Sequence, residues 1–346
     1  MAAAGTFLAS LPAEIIGRRR QIMDHPGERS SHTVAVPRTG GIAIMFGMLL
    51  ATVLFGSFTV PLVLGLGSVA IIAAVSLLDD VVTIPSVPRL IVHLAVTCAV
   101  ILLAGLELTD IELPYVSLHL GRWGGLVLAA LFVAGFVNFF NFMDGINGIA
   151  VAQGAVGGGA LAGLLLLGGG QNSVVIALAL AGACIGFAPH NFPKARLFMG
   201  DSGSTILGYV LAVLTLVGAK RTGYPWPAFV LPLGVFLYDA TFTLFKRAGR
   251  CENVIKPHRE HHYQLLIRSG WTHTRTTLLQ AALMLLCGVG AFVYAFGGQA
   301  TRLATLVGLL AAGGCYSALV HRYFATHRLD LQAGSPPPEN DTDQAT

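Results

Sequence analysis

The chain has 346 residues, of which 54% are hydrophobic and only 11% are charged, and its mean hydropathy is +0.72. This composition excludes a soluble domain and predicts a polytopic membrane protein. The net charge of +4 is small, so the positions of the charges are more informative than their sum, and we expect no nucleic-acid partner. The five cysteines include no Cys-x-x-Cys pair, so neither a disulfide framework nor a zinc site is indicated.

The N-terminal segment 1–16 is apolar but short, and it contains Pro12 and Glu14. The basic run Arg18-Arg19-Arg20 follows this segment, whereas a secretory signal carries its positive charge first. We therefore expect a shortened first span or an interfacial helix.

Ten apolar runs come after a polar segment at 24–38. They predict an all-α polytopic integral membrane protein with about ten transmembrane helices plus the short N-terminal segment. We assign residues 1–331 to this single domain, and the polar, proline-containing residues 332–346 to a disordered cytoplasmic tail. The runs lie at about 40–57, 60–78, 90–106, 123–140, 149–167, 173–188, 204–218, 226–244, 277–297 and 302–320.

Basic residues divide unevenly between the two sides of the membrane. If segment 17–38 is cytoplasmic and the runs alternate, 17 of the 21 Lys and Arg residues fall in cytoplasmic segments and 4 on the opposite side. Basic residues favour the cytoplasmic side. This orientation places Asp79-Asp80, the stretch Asn138–Gly148 and the loops 189–204 and 246–276 on one cytoplasmic face.

The stretch Asn138–Gly148 joins two apolar runs. Asn138, Asn141 and Asp144 recur every three positions, which places them on one side of a helix within about 120° of arc. A carboxylate and amides in a membrane helix are unfavourable unless they face a polar cavity or an ion. An ordinary helix end with an Asn or Gly cap is the alternative for this stretch taken alone.

Three further groups on this face have the same ambiguity. The segment Gly200–Ser204 precedes a helix and combines glycines with the Asp201 carboxylate, which suits phosphate and a metal ion but also a plain N-cap. The loop His258–Gln264 could bind metal, although basic loops beside membranes are usually solvated or touch lipid headgroups. Asp79-Asp80 ends an apolar run, where acidic residues are common.

Taken together, carboxylate clusters, basic loops and Gly-rich turns converge on one face. Oxygen donors of this kind suit Mg²⁺ or Mn²⁺, which bridge substrate phosphates, and Arg and Lys bind phosphate directly. The pattern predicts phosphoryl transfer between anionic partners at a membrane surface.

Five motifs in order resemble those of the bacterial polyprenyl-phosphate N-acetylhexosamine-1-phosphate transferases of glycosyltransferase family 4, which include phospho-N-acetylmuramoyl-pentapeptide transferase. The resemblance covers about residues 24–265. The motifs are Asp24-x-Pro26-x-x-Arg29-x-x-His32 with Pro37-Arg38-x-Gly40-Gly41; Asp79-Asp80; Asn138-x-x-Asn141-x-x-Asp144-Gly145-x-x-Gly148; Asn191-x-Pro193 with Phe198-Met199-Gly200-Asp201-x-Gly203-Ser204; and Asp239 with Arg247 before the His loop.

The resemblance implies a UDP-N-acetylhexosamine donor, undecaprenyl phosphate in the membrane lipid as acceptor, release of UMP, and Mg²⁺, with Mn²⁺ as a substitute. It implies a bacterial inner-membrane enzyme with a cytoplasmic active face, and it leaves a homodimer open. Asp201 is expected to hold the metal together with Asp144. Asp79 and Asp80 are expected to position the lipid phosphate or accept its proton.

The resemblance also implies a substrate-binding set, in which Asn191 and Phe198 contact uracil, the Phe by stacking. The diphosphate is expected to lie against Arg259, His261 and His262. For Asp239, a structural contact with Arg247 or an Asn fits as well as a catalytic role. The remaining members of the predicted set are Asn138, Asn141, Arg29, His32 and Arg38.

Two departures from the family pattern bear on specificity and on the first span. Tyr263 stands where the family usually has another His, a form more similar to the subgroup that initiates O-antigen and related surface glycans on 6-deoxy sugars of the FucNAc or QuiNAc type. Family members generally have a complete first span, whereas segment 1–16 is short. A UDP-GlcNAc-specific transferase is the alternative within the family, and a secondary transporter is the alternative of another class.

Overall fold

The computed structural model describes residues 1–25, 34–82, 84–253 and 258–327, except for the side chains of residues 61, 80, 81, 86, 171 and 172. The predicted tail at 332–346 therefore lies outside the described residues, as do Arg29 and His32. Asp80 is described only as a backbone position in a helix.

Helices account for nearly all regular structure in these ranges, which confirms the predicted all-α polytopic membrane fold. The helices are α1 (Ala2–Arg19), α2 (Gly40–Phe55), α3 (Val60–Val81), α4 (Ser86–Ala104), α5 (Gly121–Met143), α6 (Ile149–Leu167), α7 (Gln171–Asn191), α8 (Gly200–Arg221), α9 (Trp226–Val230), a 3-10 turn (Leu231–Leu233), α10 (Gly234–Gly249), α11 (His262–Arg268), α12 (His273–Phe296) and α13 (Gln299–Thr326).

Nine spans of the described chain are long and apolar enough to cross a membrane, with α9, the 3-10 turn and α10 forming one of them. The shorter apolar helix α2 supplies the tenth predicted run. Helix α1 packs against α2 and α7 through a face of small residues, among them Thr6 and Ser10. A Cβ at Gly47 of α2 would lie 1.9 Å from Thr6 Oγ1, and Thr39 Oγ1 donates to the Ala13 carbonyl at 2.8 Å. These contacts show that α1 lies antiparallel to α2. Helix α1 therefore belongs to the bundle rather than lying on the membrane surface.

Helix α8 occupies the centre of the bundle, and 83% of its membrane span is buried. It packs against α2, α3, α5 and α6. Small residues permit this close packing: a Cβ at Gly208 would lie 2.9 Å from Phe140 Cβ of α5. The N-terminus of α8, which carries Asp201, therefore lies near the bundle axis at one end. We call this end the site end.

Two short antiparallel ladders lie at opposite ends of the bundle. Strand β1 (Met23–Asp24) pairs with β2 (Val36–Pro37) at the site end, with Asp24 opposite Val36. Strand β3 (Asp110–Leu113) pairs with β4 (Val116–His119) at the opposite end. The first ladder fixes the polar segment between α1 and α2 beside the start of α8, because the Phe198 N–H also donates to the Pro37 carbonyl at 2.8 Å.

Candidate active site

A polar cavity of about 220 Å³ opens at the site end, where α2, α6, α8 and α12 begin and α5 and α7 end. Segments distant in sequence meet around it, and most of the lining side chains are polar. The lining residues are Asp24, Arg38, Asn141, Asp144, Gly145, Ile146, Asn147, Asn191, Phe198, Gly200, Asp201, Ser204 and His273.

Asp201 lies in the first turn of the central helix α8. Gly200 before it has a φ of +70°, which glycine adopts without strain and which turns the chain sharply into the helix. The Asp201 side chain is 48% exposed and lines the cavity. The positive end of the helix dipole also favours anionic groups at this position.

Asp144 follows the last residue of α5 and faces the same cavity. Burial, together with the negative charges of Asp201 and Asp24, raises the pKa of Asp144 to about 7. Three carboxylates thus act on one another across a small volume. A bound cation would relieve this repulsion.

The donor set of the cavity fits a hard divalent cation, because it consists of oxygens from carboxylates, amides and the Ser204 hydroxyl. Among the described residues, no three His, Cys, Asp or Glu side chains come close enough to enclose an ion. An ion held by Asp201 and Asp144 would therefore keep positions for water or substrate phosphate, as Mg²⁺ commonly does. The metal assignment itself stays a prediction.

Asp79 adjoins this cavity through an arginine that the predicted site omits. Its Oδ1 accepts the Ile84 N–H at 2.6 Å, and its Oδ2 pairs with Arg89 Nη1. The same Arg89 nitrogen lies 3.8 Å from Asp201 Oδ2. Arg89 thus links the end of α3 to the N-terminus of α8. The side chain of Asp80 is not among those described, so its role stays a prediction.

Asn191 and Phe198 form part of the cavity wall. The buried Asn191 accepts the Gly148 N–H at 2.8 Å and donates to the Leu197 carbonyl at 3.1 Å. Its amide therefore ties the α5–α6 loop to the α7–α8 loop. Phe198 is partly buried, and its carbonyl accepts the Gly40 N–H at 2.9 Å. The predicted uracil contacts of both residues stay predictions, and the structure adds a scaffolding role for Asn191.

The predicted polar side of α5 reaches the cavity only in part. Asn141 donates to Ser204 Oγ at 3.1 Å and lines the cavity beside Asp144. Asn138 is exposed, donates to the Ala134 carbonyl at 2.8 Å and does not line this cavity. A step of three residues turns a helix by about 60° short of a full revolution. Two such steps separate Asn138 from Asp144 and turn its side chain away.

A second titratable cluster surrounds the buried Asp239 of α10. Its carboxylate accepts the His262 N–H at 3.0 Å, lies 3.1 Å from His261 Nδ1 and 3.0 Å from His262 Nδ1, and accepts from Thr243 Oγ1 at 3.2 Å. The side chain of His262 is fully buried and that of His261 is 5% exposed. In this structure the two histidines predicted to hold the diphosphate enclose Asp239.

Arg247 does not contact Asp239, and the Asp239–Arg247 contact that the sequence left open is therefore absent between these two described residues. Arg247 pairs with Glu260 at 2.8 Å and with Glu252 at 3.0 Å. This network holds the loop that contains Arg259. Arg259 is partly buried, and its backbone carbonyl accepts a hydrogen bond from Arg268 Nη1 at 3.0 Å. The predicted diphosphate contact of Arg259 stays a prediction.

Tyr263 connects the Asp239 cluster to the polar cavity. Its hydroxyl donates to the Phe142 carbonyl at 3.0 Å. A Cβ at Gly145 would lie 2.1 Å from Tyr263 Oη, so only glycine leaves room for the ring. Burial raises the pKa of Tyr263, and the charges of Asp239 and Asp144 add to the shift, so the hydroxyl remains a donor.

Comparison with known proteins places the chain in a family. The model of the family described as Glycosyl transferase family 4 matches residues 62–219. A phospho-N-acetylmuramoyl-pentapeptide-transferase of Synechococcus sp. (strain JA-3-3Ab) is 31% identical over 289 residues, covering 78% of this chain and 83% of that protein. The chain belongs to glycosyl transferase family 4. This confirms the family to which the motifs pointed, and it makes the protein a multi-pass membrane enzyme rather than a secondary transporter.

Other relatives of this family 4 enzyme carry related names. A probable undecaprenyl-phosphate N-acetylglucosaminyl 1-phosphate transferase of Bacillus subtilis (strain 168) is 28% identical over 277 residues, 78% of this chain and 76% of that protein. An undecaprenyl-phosphate alpha-N-acetylglucosaminyl 1-phosphate transferase of Yersinia pestis is 28% identical over 300 residues, 82% of this chain and 81% of that protein.

The site of this family 4 enzyme includes several residues that the predicted set omits. Asp24 and Ser204 lie inside motifs already recognised, so their signal was present. Asn147 continues the three-residue period of Asn138, Asn141 and Asp144 beyond the end of α5, so its signal was present as well. The predicted topology places Arg89 and His273 at this end of the bundle, but only the fold brings their side chains to the cavity. There the Asn147 N–H donates to His273 Nδ1 at 3.4 Å.

Proposed function

We propose that this enzyme transfers an N-acetylhexosamine 1-phosphate from a UDP-sugar to a polyprenyl phosphate such as undecaprenyl phosphate, and releases UMP. The observation that supports this most directly is the meeting of Asp144, Asp201 and the Asp79–Arg89 pair at one end of an apolar bundle. Cation-binding and anion-binding groups lie side by side there, next to the membrane in which a lipid phosphate would be anchored. The names of the Bacillus subtilis and Yersinia pestis relatives agree with this reaction.

In the proposed reaction, an oxygen of the lipid phosphate attacks the β-phosphorus of the UDP-sugar. The bond from that phosphorus to the bridging oxygen breaks, and UMP leaves with the bridging oxygen. The sugar C1–O bond is untouched, so the anomeric configuration is retained. A phosphate monoester has a second pKa near 6 and is mostly deprotonated at neutral pH, so the demand for a general base is modest and direct displacement is favoured over an aspartyl-phosphate intermediate.

The chain's own residues have distinct tasks in this scheme. Arg89 brings positive charge to the phosphates, and Asp79, already hydrogen-bonded on both oxygens, is better suited to aim Arg89 than to accept a proton. Asp201 and Asp144 would hold Mg²⁺, or Mn²⁺ in its place, and the bound ion would neutralise charge on the diphosphate. The N-terminus of α8 adds its dipole at the same point.

There are two candidates for the sugar that the enzyme transfers. The predicted preference for a 6-deoxy N-acetylhexosamine, and a place in O-antigen or surface-glycan initiation, rest on the form of the loop around Tyr263. In the structure Tyr263 packs against α5, and His262 is buried, so neither offers an apolar wall to a hexose. The names of the Bacillus subtilis and Yersinia pestis relatives instead favour UDP-GlcNAc. We keep both donors, with UDP-GlcNAc as the second candidate function.

The decisive experiment is a transfer assay with purified full-length enzyme, undecaprenyl phosphate and a panel of radiolabelled UDP-N-acetyl sugars. We expect UMP release that requires the lipid phosphate, stops with EDTA and returns with Mg²⁺ or Mn²⁺. An apolar pocket rejects an extra hydroxyl by only about 10²-fold, so a 6-deoxy-specific enzyme would still use UDP-GlcNAc slowly. Use of UDP-GlcNAc at least as fast as any 6-deoxy sugar would end the 6-deoxy assignment, and no release with any donor would end the proposed reaction.

The placement of the site end in the cytoplasm of a bacterial inner membrane is also a proposal. The excess of basic residues at this end supports it. A nucleotide-sugar donor requires the same orientation, because such donors are made in the cytoplasm. A homodimer stays a prediction.

A further inference from the structure

A second cavity lies at the end of the bundle opposite the active site, and neither the proposed reaction nor its substrates account for it. Its volume is about 530 Å³, more than twice that of the site cavity. Helices α2, α3, α4, α7 and α8 surround it, and most of its lining is apolar. Two of these helices, α3 and α4, are only 33% and 17% buried. The cavity is therefore at the lipid-facing periphery of the bundle.

The depth of this cavity matches one leaflet of a bilayer. Its lining on α8 extends from Arg221 at the helix end to Tyr209, which is 12 residues or about 18 Å along the axis. Half of a bilayer's hydrocarbon core is about 15 Å thick. A water-filled cavity with such apolar walls is unfavourable, so the chemistry of the walls favours a hydrocarbon chain.

The charge at the mouth of the cavity is positive. Arg221 lines the mouth, its side chain is exposed, and one guanidinium nitrogen donates to the carbonyl of Ala104 at the end of α4 at 3.3 Å. That contact holds the guanidinium between the ends of α4 and α8, and the ends of membrane spans adjoin the headgroup region of a bilayer. Only 4 of the 21 basic residues fall on this side of the predicted topology, so a cation at this mouth is not part of a general basic surface.

We propose that this cavity binds one acyl chain of an anionic glycerophospholipid from the leaflet opposite the active site, with the lipid phosphate paired to Arg221. The phosphate of the polyprenyl substrate does not occupy the position beside Arg221. That phosphate must reach Asp201, which lies near the other end of α8, a helix of 22 residues or about 33 Å.

The chain offers two matched pairs of variants for a test. Gly65 lines the cavity, and a Cβ built there meets no atom within 4 Å, so Gly65→Leu adds apolar volume at the cavity wall and its Cβ has room. Gly67 on the same helix also has open space but does not line the cavity, which makes Gly67→Leu its control. Arg221→Gln removes the cation, and Lys220→Gln removes its exposed neighbour outside the cavity.

The experiment is a titration of the full-length protein with dioleoylphosphatidylglycerol, read by native mass spectrometry, with dioleoylphosphatidylcholine as the zwitterionic comparison. We expect one tightly held phosphatidylglycerol. Gly65→Leu should weaken its binding about tenfold, because the leucine displaces methylenes of the chain. Arg221→Gln should weaken it about fivefold, the effect of one basic residue at an anionic membrane surface. Both controls should bind as the wild type does.

Equal lipid binding by Gly65→Leu and Gly67→Leu would overturn the cavity as the site. Equal binding by Arg221→Gln and Lys220→Gln, or equal affinity for the zwitterionic lipid, would overturn the phosphate pairing. Size-exclusion profiles report whether each variant folds. If Gly65→Leu does not fold, Arg221→Gln still tests the proposal, because Arg221 is exposed and its replacement should not disturb the fold. None of the four positions touches the active site, so transferase activity should persist in all of them.

Discussion

Replacing Asp201 with Asn should abolish activity while leaving the fold intact. The Asp201 side chain is 48% exposed, and Arg89 Nη1 lies 3.8 Å away. An ion pair this exposed contributes at most about 1 kcal/mol, so the melting temperature should fall by less than about 4 °C. The rate should fall roughly 10³-fold or more, because a metal held between phosphates supplies several kcal/mol of transition-state stabilisation.

Asp239→Asn is the matched comparison, because it makes the same chemical change at a carboxylate that is only 3% exposed and is enclosed by His261 and His262. Removing one partner of a buried pair costs about 3–5 kcal/mol, so the free energy of unfolding should fall several times more in this variant than in Asp201→Asn. UMP release and thermal unfolding are measured on both purified variants. Near-normal turnover by well-expressed Asp201→Asn would refute the metal assignment. A drop in its melting temperature as large as that of Asp239→Asn would show that Asp201 is structural.

Three other outcomes follow from the packing and topology. Gly41→Ala should lower both the melting temperature and the rate of UMP release, since its Cβ would lie 2.5 Å from the backbone N of Gly203. Gly67→Ala, whose Cβ would meet no atom within 4 Å, should change neither. Tyr263→Phe should cost about 1 kcal/mol by removing the hydrogen bond to α5, seen as a lower melting temperature; an unchanged value would show that the ring alone holds the loop. The exposed native Cys251 should react with an impermeant thiol reagent only from the cytoplasm. Labelling from outside in intact cells would show that the predicted orientation is wrong.

Much of the site could be predicted from the sequence because membrane insertion makes polar residues informative. A carboxylate in an apolar chain is unfavourable unless it has a function, so Asp144 and Asp201 were recognisable without a structure. The positive-inside bias then placed both on one face. The helical spans follow from the same one-dimensional pattern, since each span must satisfy its own backbone hydrogen bonds, whereas the orientation of the bundle stays a prediction.

What only the tertiary structure decided is which polar side chains share a volume. Asn138 fits the three-residue period as well as Asn141 does, yet the helix turns it away from the cavity. His262 lies fully buried beside Asp239, a contact that the sequence did not indicate, and its predicted place against the diphosphate stays a prediction. Arg89 has no local signal, and it lies near Asp201 only because the start of α4 and the start of α8 meet at the site end. Periodicity and composition describe each helix alone, whereas these outcomes depend on the rotation and close packing of helices against one another.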